Sequence, residues 1–259
     1  LALAAGCVSP QTGQRPPPPA PDSKAPTPRA ATPPLSLELP LTPQDDGRPQ
    51  TIGRSVEGRP IEARLFGRAG PAVLILGAIH GSEPASAALC RALIANLAPA
   101  DYAGVRVVVV ACANPDGLSR GRRENARGVD LNRNFAAANF RAVRHNGPNA
   151  LCEPESQALQ DLVLTLQPAV IVSIHQPLAV VDWDGPAEAL ARRMAALARL
   201  PCKRIGSRPG SLGSWAGEDL GIPIVTLELP RNAALSTSAL WRAYGPALLE
   251  AIRWPATTR

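Results

Sequence analysis

His80 and Glu83 stand three residues apart in the stretch GAIHGSEP (77–84), directly after the apolar run PAVLIL. An imidazole and a carboxylate at that spacing can cross-link a turn, or they can hold a cation. Groups of the same chemical kind recur at similar places. His175 follows the apolar run AVIVSI (169–174), and Glu228 lies near the end of IPIVTLEL (222–229). Asn114-Pro115-Asp116-Gly117 overlaps no apolar run but follows VRVVVVAC (105–112). Each has an ordinary explanation alone: a loop-bonded histidine, an ion-pair partner, a turn. But the chain has only three histidines, and two of them end apolar runs. Chance explains that poorly. Catalytic zinc takes borderline ligands in a tetrahedron and keeps one position open. Two imidazoles and one carboxylate leave such a site with a single net positive charge, enough to acidify water and polarise a carbonyl. A carboxylate outside the ligand set can then take the water's proton. His80, Glu83 and His175 fit the first role, with one zinc per chain, and Glu228 fits the second.

These residues need a scaffold that delivers them to one place. QTIGRSVEGRPIEARLF (50–66) predicts a hairpin: Ile61, Ala63 and Leu65 alternate with Glu62, Arg64 and Phe66, and Glu57-Gly58 supplies the turn. Uninterrupted apolar runs predict buried strands at 71–79, 105–112, 169–174 and 222–229. Helices are expected at 84–97, 155–166, 186–199 and 238–253, and residues 113–148, rich in Asn, Arg and Gly, read as irregular. Apolar strands alternating with helices imply an α/β fold, a mixed, largely parallel central sheet with helices on both faces. Ligands of such sheets bind beyond the carboxyl ends of the strands, where these candidates lie.

The 259 residues suffice for one sizeable domain. The formal charge of +6 comes mostly from scattered arginines, with no basic run and few aromatics, which argues against a nucleic-acid partner. Many of the 29 prolines fall in residues 8–50, which lack hydrophobic periodicity and read as an extended linker. At ~3.1 Å per residue it reaches on the order of 100 Å. Before it, LALAAGC (1–7) reads as a signal-peptide remnant, and its Cys7 as the lipidated residue of a lipobox or as an ordinary cysteine. Under the lipobox reading the protein is periplasmic and lipid-anchored to a membrane. Val8, rather than Asp, after the cysteine favours the outer membrane. Residues 51–259 are expected to form the folded domain that carries these candidate residues. Cys90 and Cys112 read as core residues, while Cys152 and Cys202 fall near loops; none shows C-x-x-C spacing.

HGSE, the distant His175, NPDG, GVDLNRNF (128–135) and TLELP (226–230) occur in an order that resembles the zinc metallocarboxypeptidases, the carboxypeptidase A superfamily. That resemblance runs from about Gly53 to the C-terminus. It implies zinc on His80, Glu83 and His175, the His2Glu set of carboxypeptidase A, and Glu228 as general base and acid. It also implies Asn132 and Arg133 as the grip on a substrate's terminal carboxylate, for which a planar guanidinium is suited. Arg123, rather than its neighbour Arg122, aligns with the arginine that stabilises the oxyanion. Asn134 and Asp130 are expected to shape the loop, and Phe135 to belong to the core.

IHQPLAVVD (174–182) and PGSLGSWAGEDLGIPIVTLELP (209–230) further resemble bacterial murein peptide amidases, which cut the γ-D-glutamyl–meso-diaminopimelate bond of cell-wall peptides. The implied partner is a muropeptide or peptidoglycan stem peptide. Diaminopimelate carries an ammonium and a carboxylate at the end of its side chain. Asp182 is the candidate for the ammonium, or else a cap on the following loop, and Arg208 is the candidate for the far carboxylate. The segment where the family has a mobile tyrosine reads RIGSRPGS (204–211), without one. Alternative readings are a general zinc carboxypeptidase, a desuccinylase-like amidohydrolase of acylated amino acids, and a non-catalytic muropeptide-binding envelope protein.

Overall fold

The computed structural model describes residues 1–2, 47–233 and 236–257. Two units divide the chain, Leu1–Leu37 and Glu38–Arg259, and every element below lies in the second. Cys7 and residues 8–46 of the predicted linker fall outside the described residues. Strand β1 (Pro49–Arg54) spans the predicted boundary at 50/51.

The remaining strands are β2 (Pro60–Phe66), β3 (Ala72–Leu76), β4 (Arg106–Val110), β5 (Val170–His175), β6 (Leu178–Asp184) and β7 (Ile224–Pro230). They form one sheet in the order β1-β2-β4-β3-β5-β7-β6. The four strands β4, β3, β5 and β7 run parallel. The β1-β2 hairpin joins antiparallel at one side, and β6 pairs antiparallel with β7 at the other. The helices are α1 (Pro84–Asn96), α2 (Pro115–Arg120), α3 (Pro154–Leu166), α4 (Glu188–Ala198) and α5 (Thr237–Thr257).

Strands β3 and β4 show no polar alternation because both faces are covered. Val73, Ile75, Val107 and Val109 pack into one cluster with Leu89 and Leu93 of α1, Leu190 and Met194 of α4, and Leu248 and Ile252 of α5. Leu74, Leu76, Val108 and Val110 belong to a second cluster with Leu159 and Leu162 of α3, and with Phe135 and Trp215. The last two rings stack at 5.7 Å, so Phe135 is core as expected. Toward the carboxyl ends of the parallel strands this second face turns polar. Alternate residues share a face, giving Ile171, Ser173 and His175 on β5, then Ile224, Thr226 and Glu228 on β7. The ladder sets Ser173 beside Thr226 and His175 beside Glu228. It also sets Glu228, Thr226 and Ile224 beside Val180, Asp182 and Asp184 of β6. Three adjacent strands thus form one floor of reactive side chains.

Three local features depart from the sequence expectation. β6 was not foreseen, because its floor-facing side carries carboxylates where a buried strand has apolar residues. The NPDG turn is the start of α2: Asn114 Oδ1 accepts from the Gly117 N–H at 2.8 Å, and Pro115 occupies the first turn, where its missing N–H costs nothing. Gly213–Asp219 forms a π-helical stretch.

Candidate metal centre and cleft

The turn after β3 answers the question posed by GAIHGSEP. Pro84 starts α1 because the first-turn N–H groups have no helical partner. Glu83 occupies the N-cap but makes no side-chain cap, leaving its carboxylate available. Gly81 is required by close packing: a Cβ there would lie 1.9 Å from the backbone of Gly117.

His80, Glu83 and His175 converge, each almost fully buried. Glu83 Oε1 lies 2.8 Å from His80 Nδ1, and Oε2 lies 3.0 Å from His175 Nδ1. The two Nδ1 atoms are 3.2 Å apart. On the far side of each ring a partner fixes its orientation. His80 Nε2 sits 3.0 Å from Asp130 Oδ1, and His175 Nε2 lies 3.0 Å from Ser173 Oγ. Burial pushes the Asp130 carboxyl up, but the bond to His80 and the charges of His80, Arg123 and Arg133 together outweigh this and hold it well below the usual carboxylate range. Asp130 is therefore ionised and can only accept, so Nε2 of His80 is the donor and, in the neutral ring, Nδ1 presents a lone pair. The Glu83 carboxyl is likewise pushed up by burial, yet His175 and His80 hold it down at about 2. Lone-pair donors within 4.8 Å of one another form the donor set of a divalent cation. Tetrahedral zinc with ~2.0–2.1 Å bonds needs donors about 3.3 Å apart, and the observed spacings of 2.8, 3.0 and 3.2 Å are all somewhat shorter, by half an ångström at most. The residues fit zinc.

Every sequence-predicted site residue from His80 onward lines the cleft above this centre: His80, Glu83, Arg123, Asn132, Arg133, His175, Asp182, Arg208 and Glu228. Arg123 Nε donates to Asp130 Oδ2 at 3.0 Å, which sets its guanidinium beside Glu83. Asn132 spends its Oδ1 on the Leu212 N–H at 2.9 Å, leaving the amide donors for a ligand. Burial pulls the Arg133 guanidinium down from its ordinary value, opposed by Asp130 and reinforced by the charges of Arg123 and Arg208. The three arginines make one end of the cleft cationic. Glu228 takes an N–H from Leu178 on Oε2 at 3.3 Å, and burial raises its carboxyl. Asp182 Oδ1 accepts from the Ile205 N–H at 2.7 Å, so it holds not the loop that follows it but the one beyond β6's bridge to Cys202, while lining the cleft.

Asp130 shapes its loop as expected, accepting from the Asn132 N–H at 2.9 Å, and is in addition the orienting partner of His80; Asn134 also shapes the loop, donating to the carbonyls of Asn146 and Asn149. Ser173 and Asp184 also line the cleft and were missed. Strand alternation was the available signal, since they lie two residues from His175 and Asp182. The chain's two tyrosines, Tyr102 and Tyr244, are not among the residues lining the cleft. Cys90, Cys112, Cys152 and Cys202 are all unpaired thiols.

A sequence model of the zinc carboxypeptidase family matches residues 45–190. Murein peptide amidase A of Escherichia coli strain K12 is 36% identical over 199 residues, covering 70% of this chain and 79% of that protein. Murein peptide amidase A of Vibrio campbellii is 34% identical over 211 residues, covering 72% and 81%. The crystal structure of murein-tripeptide amidase MpaA from Escherichia coli O157 superposes with a TM-score of 0.67 at 34% identity, over 80% of this chain and 94% of that one. Carboxypeptidase A from Helicoverpa armigera, at 19% identity, shares the fold with a TM-score of 0.66 over 81% and 68%. With the family's sequence pattern, its fold and a His-Glu-His centre on the same chain, this protein belongs to the zinc carboxypeptidase family and is a hydrolase.

Proposed function

We propose that the chain is a zinc-dependent peptidase of cell-wall peptides, cutting the γ-D-glutamyl–meso-diaminopimelate bond to release diaminopimelate. The observation that carries this reading is the charge of the cleft lining: Arg123, Arg133 and Arg208, the buried carboxylates Asp182 and Asp184 of β6, and the His-Glu-His centre share one cleft. A residue with a free carboxylate at its backbone and further charged groups of both signs on its side chain suits that lining. Likeness to the murein peptide amidases supports it.

His80, Glu83 and His175 would hold the zinc, which when bound would supply Lewis acidity to the scissile carbonyl and the attacking water. Glu228 takes a proton from that water and returns it to the departing amine, so the amide and one water become a carboxylic acid and an amine. Arg123 donates hydrogen bonds to the oxygen on which negative charge develops. Arg133 and Asn132 hold the free carboxylate of the residue released, which restricts cleavage to a terminal residue.

Arg208 meets the far carboxylate in this reading. Lysine lacks that group, and a polar partner left unpaired costs roughly 1–3 kcal/mol. L-Ala-γ-D-Glu-meso-diaminopimelate is expected to exceed its lysine analogue by roughly 10- to 100-fold in kcat/KM. A blocked dipeptide ending in Phe is the control: if it is cut fastest, the murein assignment fails and a general carboxypeptidase remains.

The anchoring reading rests on LALAAGC followed by the proline-rich stretch. Expressed behind a complete signal peptide, the protein is expected to fractionate with membranes, and Cys7→Ser to release it. Unchanged fractionation of Cys7→Ser rejects the anchor.

A further inference from the structure

Glu83 stands at the N-cap of α1, where Ser, Thr, Asp or Asn normally bonds a first-turn N–H, yet its carboxylate is spent on the two histidine rings. The N–H groups at the start of the helix must still be satisfied. The Glu83 N–H reaches the His80 carbonyl at 3.1 Å, Pro84 has no N–H, and the Ser86 N–H reaches the Glu83 carbonyl at 3.2 Å. That leaves Ala85, which is fully buried and cannot turn to water. Its N–H is met from another element: Gln176, the residue after β5, offers Oε1 at 3.1 Å.

The other contacts of Gln176 fix this arrangement. Its Nε2 donates to the Pro230 carbonyl at 3.2 Å. A carbonyl needs a donor and an N–H needs an acceptor, so the two partners dictate which way the side-chain amide points. The backbone N–H of Gln176 donates to Glu83 Oε2 at 3.2 Å, the same oxygen that lies 3.0 Å from His175 Nδ1. Gln176 is thus bonded to the start of α1, to the Glu83 carboxylate and to the end of β7, two residues beyond Glu228. It also directly follows His175 in the chain. Without the Gln176 acceptor, the usual local acceptor for a first-turn N–H is the N-cap side chain, here Glu83 itself. The positive end of the helix favours the same move. A Glu83 carboxylate turned to its own helix is turned away from the histidines.

We infer that Gln176 is a positioning residue: it caps α1 in place of Glu83 and so keeps the Glu83 carboxylate in the metal centre with His80 and His175. The inference rests on the metal centre and not on the identity of the substrate.

The experiment compares wild type with Gln176→Met and Gln176→Glu. Methionine matches glutamine in length and keeps the backbone N–H to Glu83, but its thioether is only a weak acceptor. Glutamate keeps an acceptor for the Ala85 N–H, and its charge suits a helix N-terminus. Three quantities are read: zinc affinity of the chelator-stripped protein in competition with a chromophoric chelator, exchange of the Ala85 amide by NMR, and kcat and KM at saturating zinc. The last uses the diaminopimelate tripeptide or the Phe dipeptide, whichever wild type cuts faster. Gln176→Met is expected to bind zinc roughly 10- to 100-fold more weakly, the usual cost of losing a partner that orients a metal ligand. Its Ala85 amide should exchange roughly 5- to 10-fold faster, as for a lost cap. At saturating zinc its KM should match wild type, since no substrate contact is removed. Gln176→Glu is expected to recover both the zinc affinity and the slow exchange. Wild-type zinc affinity in Gln176→Met overturns the inference, and a raised KM alongside it makes Gln176 a substrate contact instead. Weaker zinc binding with the Ala85 amide still protected overturns it too, as does a Gln176→Glu that recovers neither property. A wild type that takes up no zinc overturns the inference together with the zinc assignment, whereas the other outcomes leave that assignment standing.

Discussion

Glu228→Gln is expected to keep its metal and lose turnover by roughly 10²–10⁴-fold in kcat, the usual worth of a positioned acid–base group. Its place on the ladder supports this. Parallel pairing of β5 and β7 sets Glu228 beside His175, a member of the metal cluster, and both face the cleft. The Leu178 N–H holds Oε2, an interaction that a glutamine oxygen can retain. The amide keeps the volume and the hydrogen bond but cannot take a proton from water. Zinc content by atomic absorption and kcat at fixed pH separate the two effects. Activity within a factor of a few of wild type removes Glu228 from the mechanism.

His175→Ala is expected to cost more, because it removes a ligand. Wild type is expected to carry about one zinc per chain, reversibly lost to a chelator. The variant should retain no stoichiometric zinc, and its activity should fall by on the order of 10³-fold or more, since metal polarisation contributes several kcal/mol. The fold should survive, because the histidine ends a strand whose apolar residues, Val170, Ile171, Val172 and Ile174, remain packed. Circular dichroism checks that point. Ser173→Ala is the graded companion: it leaves all three ligands but frees the His175 ring, for which roughly 10- to 100-fold weaker zinc binding is the expected cost. Full activity in metal-free protein contradicts the zinc assignment.

The parts of this enzyme that were legible in its sequence are those where one physical demand dominates. β3 and β4 are covered on both faces and read as unbroken apolar runs, and β5 and β7 do so except where Ser173, His175, Thr226 and Glu228 open onto the cleft. The metal residues were legible because histidine is scarce here and strand ends are where such sheets bind ligands. β6 was hidden because it answers two demands at once: Val181 and Trp183 face the core while Asp182 and Asp184 face the cleft. Asp130 was hidden for a different reason. Its bond to His80 spans fifty residues of sequence, and no local pattern distinguishes it from a loop-shaping aspartate. Asp182 lines the cleft, but the backbone it holds is Ile205, 23 residues on rather than in the following loop, and only the spatial arrangement shows its neighbour Asp184 to be the one left with an unpartnered oxygen.

The antiparallel register of β6 against β7 also constrains how the cleft can change by descent. A strand shows alternate residues to each side, so a slip of one position exchanges the two sides wholesale. Deleting a single residue near the start of β6 would offer Val181 and Trp183 to the substrate and drive two carboxylates into the apolar cluster shared with α4. Changing the strand by two residues would instead slide the same carboxylates one rung nearer to Glu228 or one rung farther from it. Length variation at this edge is therefore heritable only in even steps, and each viable step re-spaces the acidic end of the cleft.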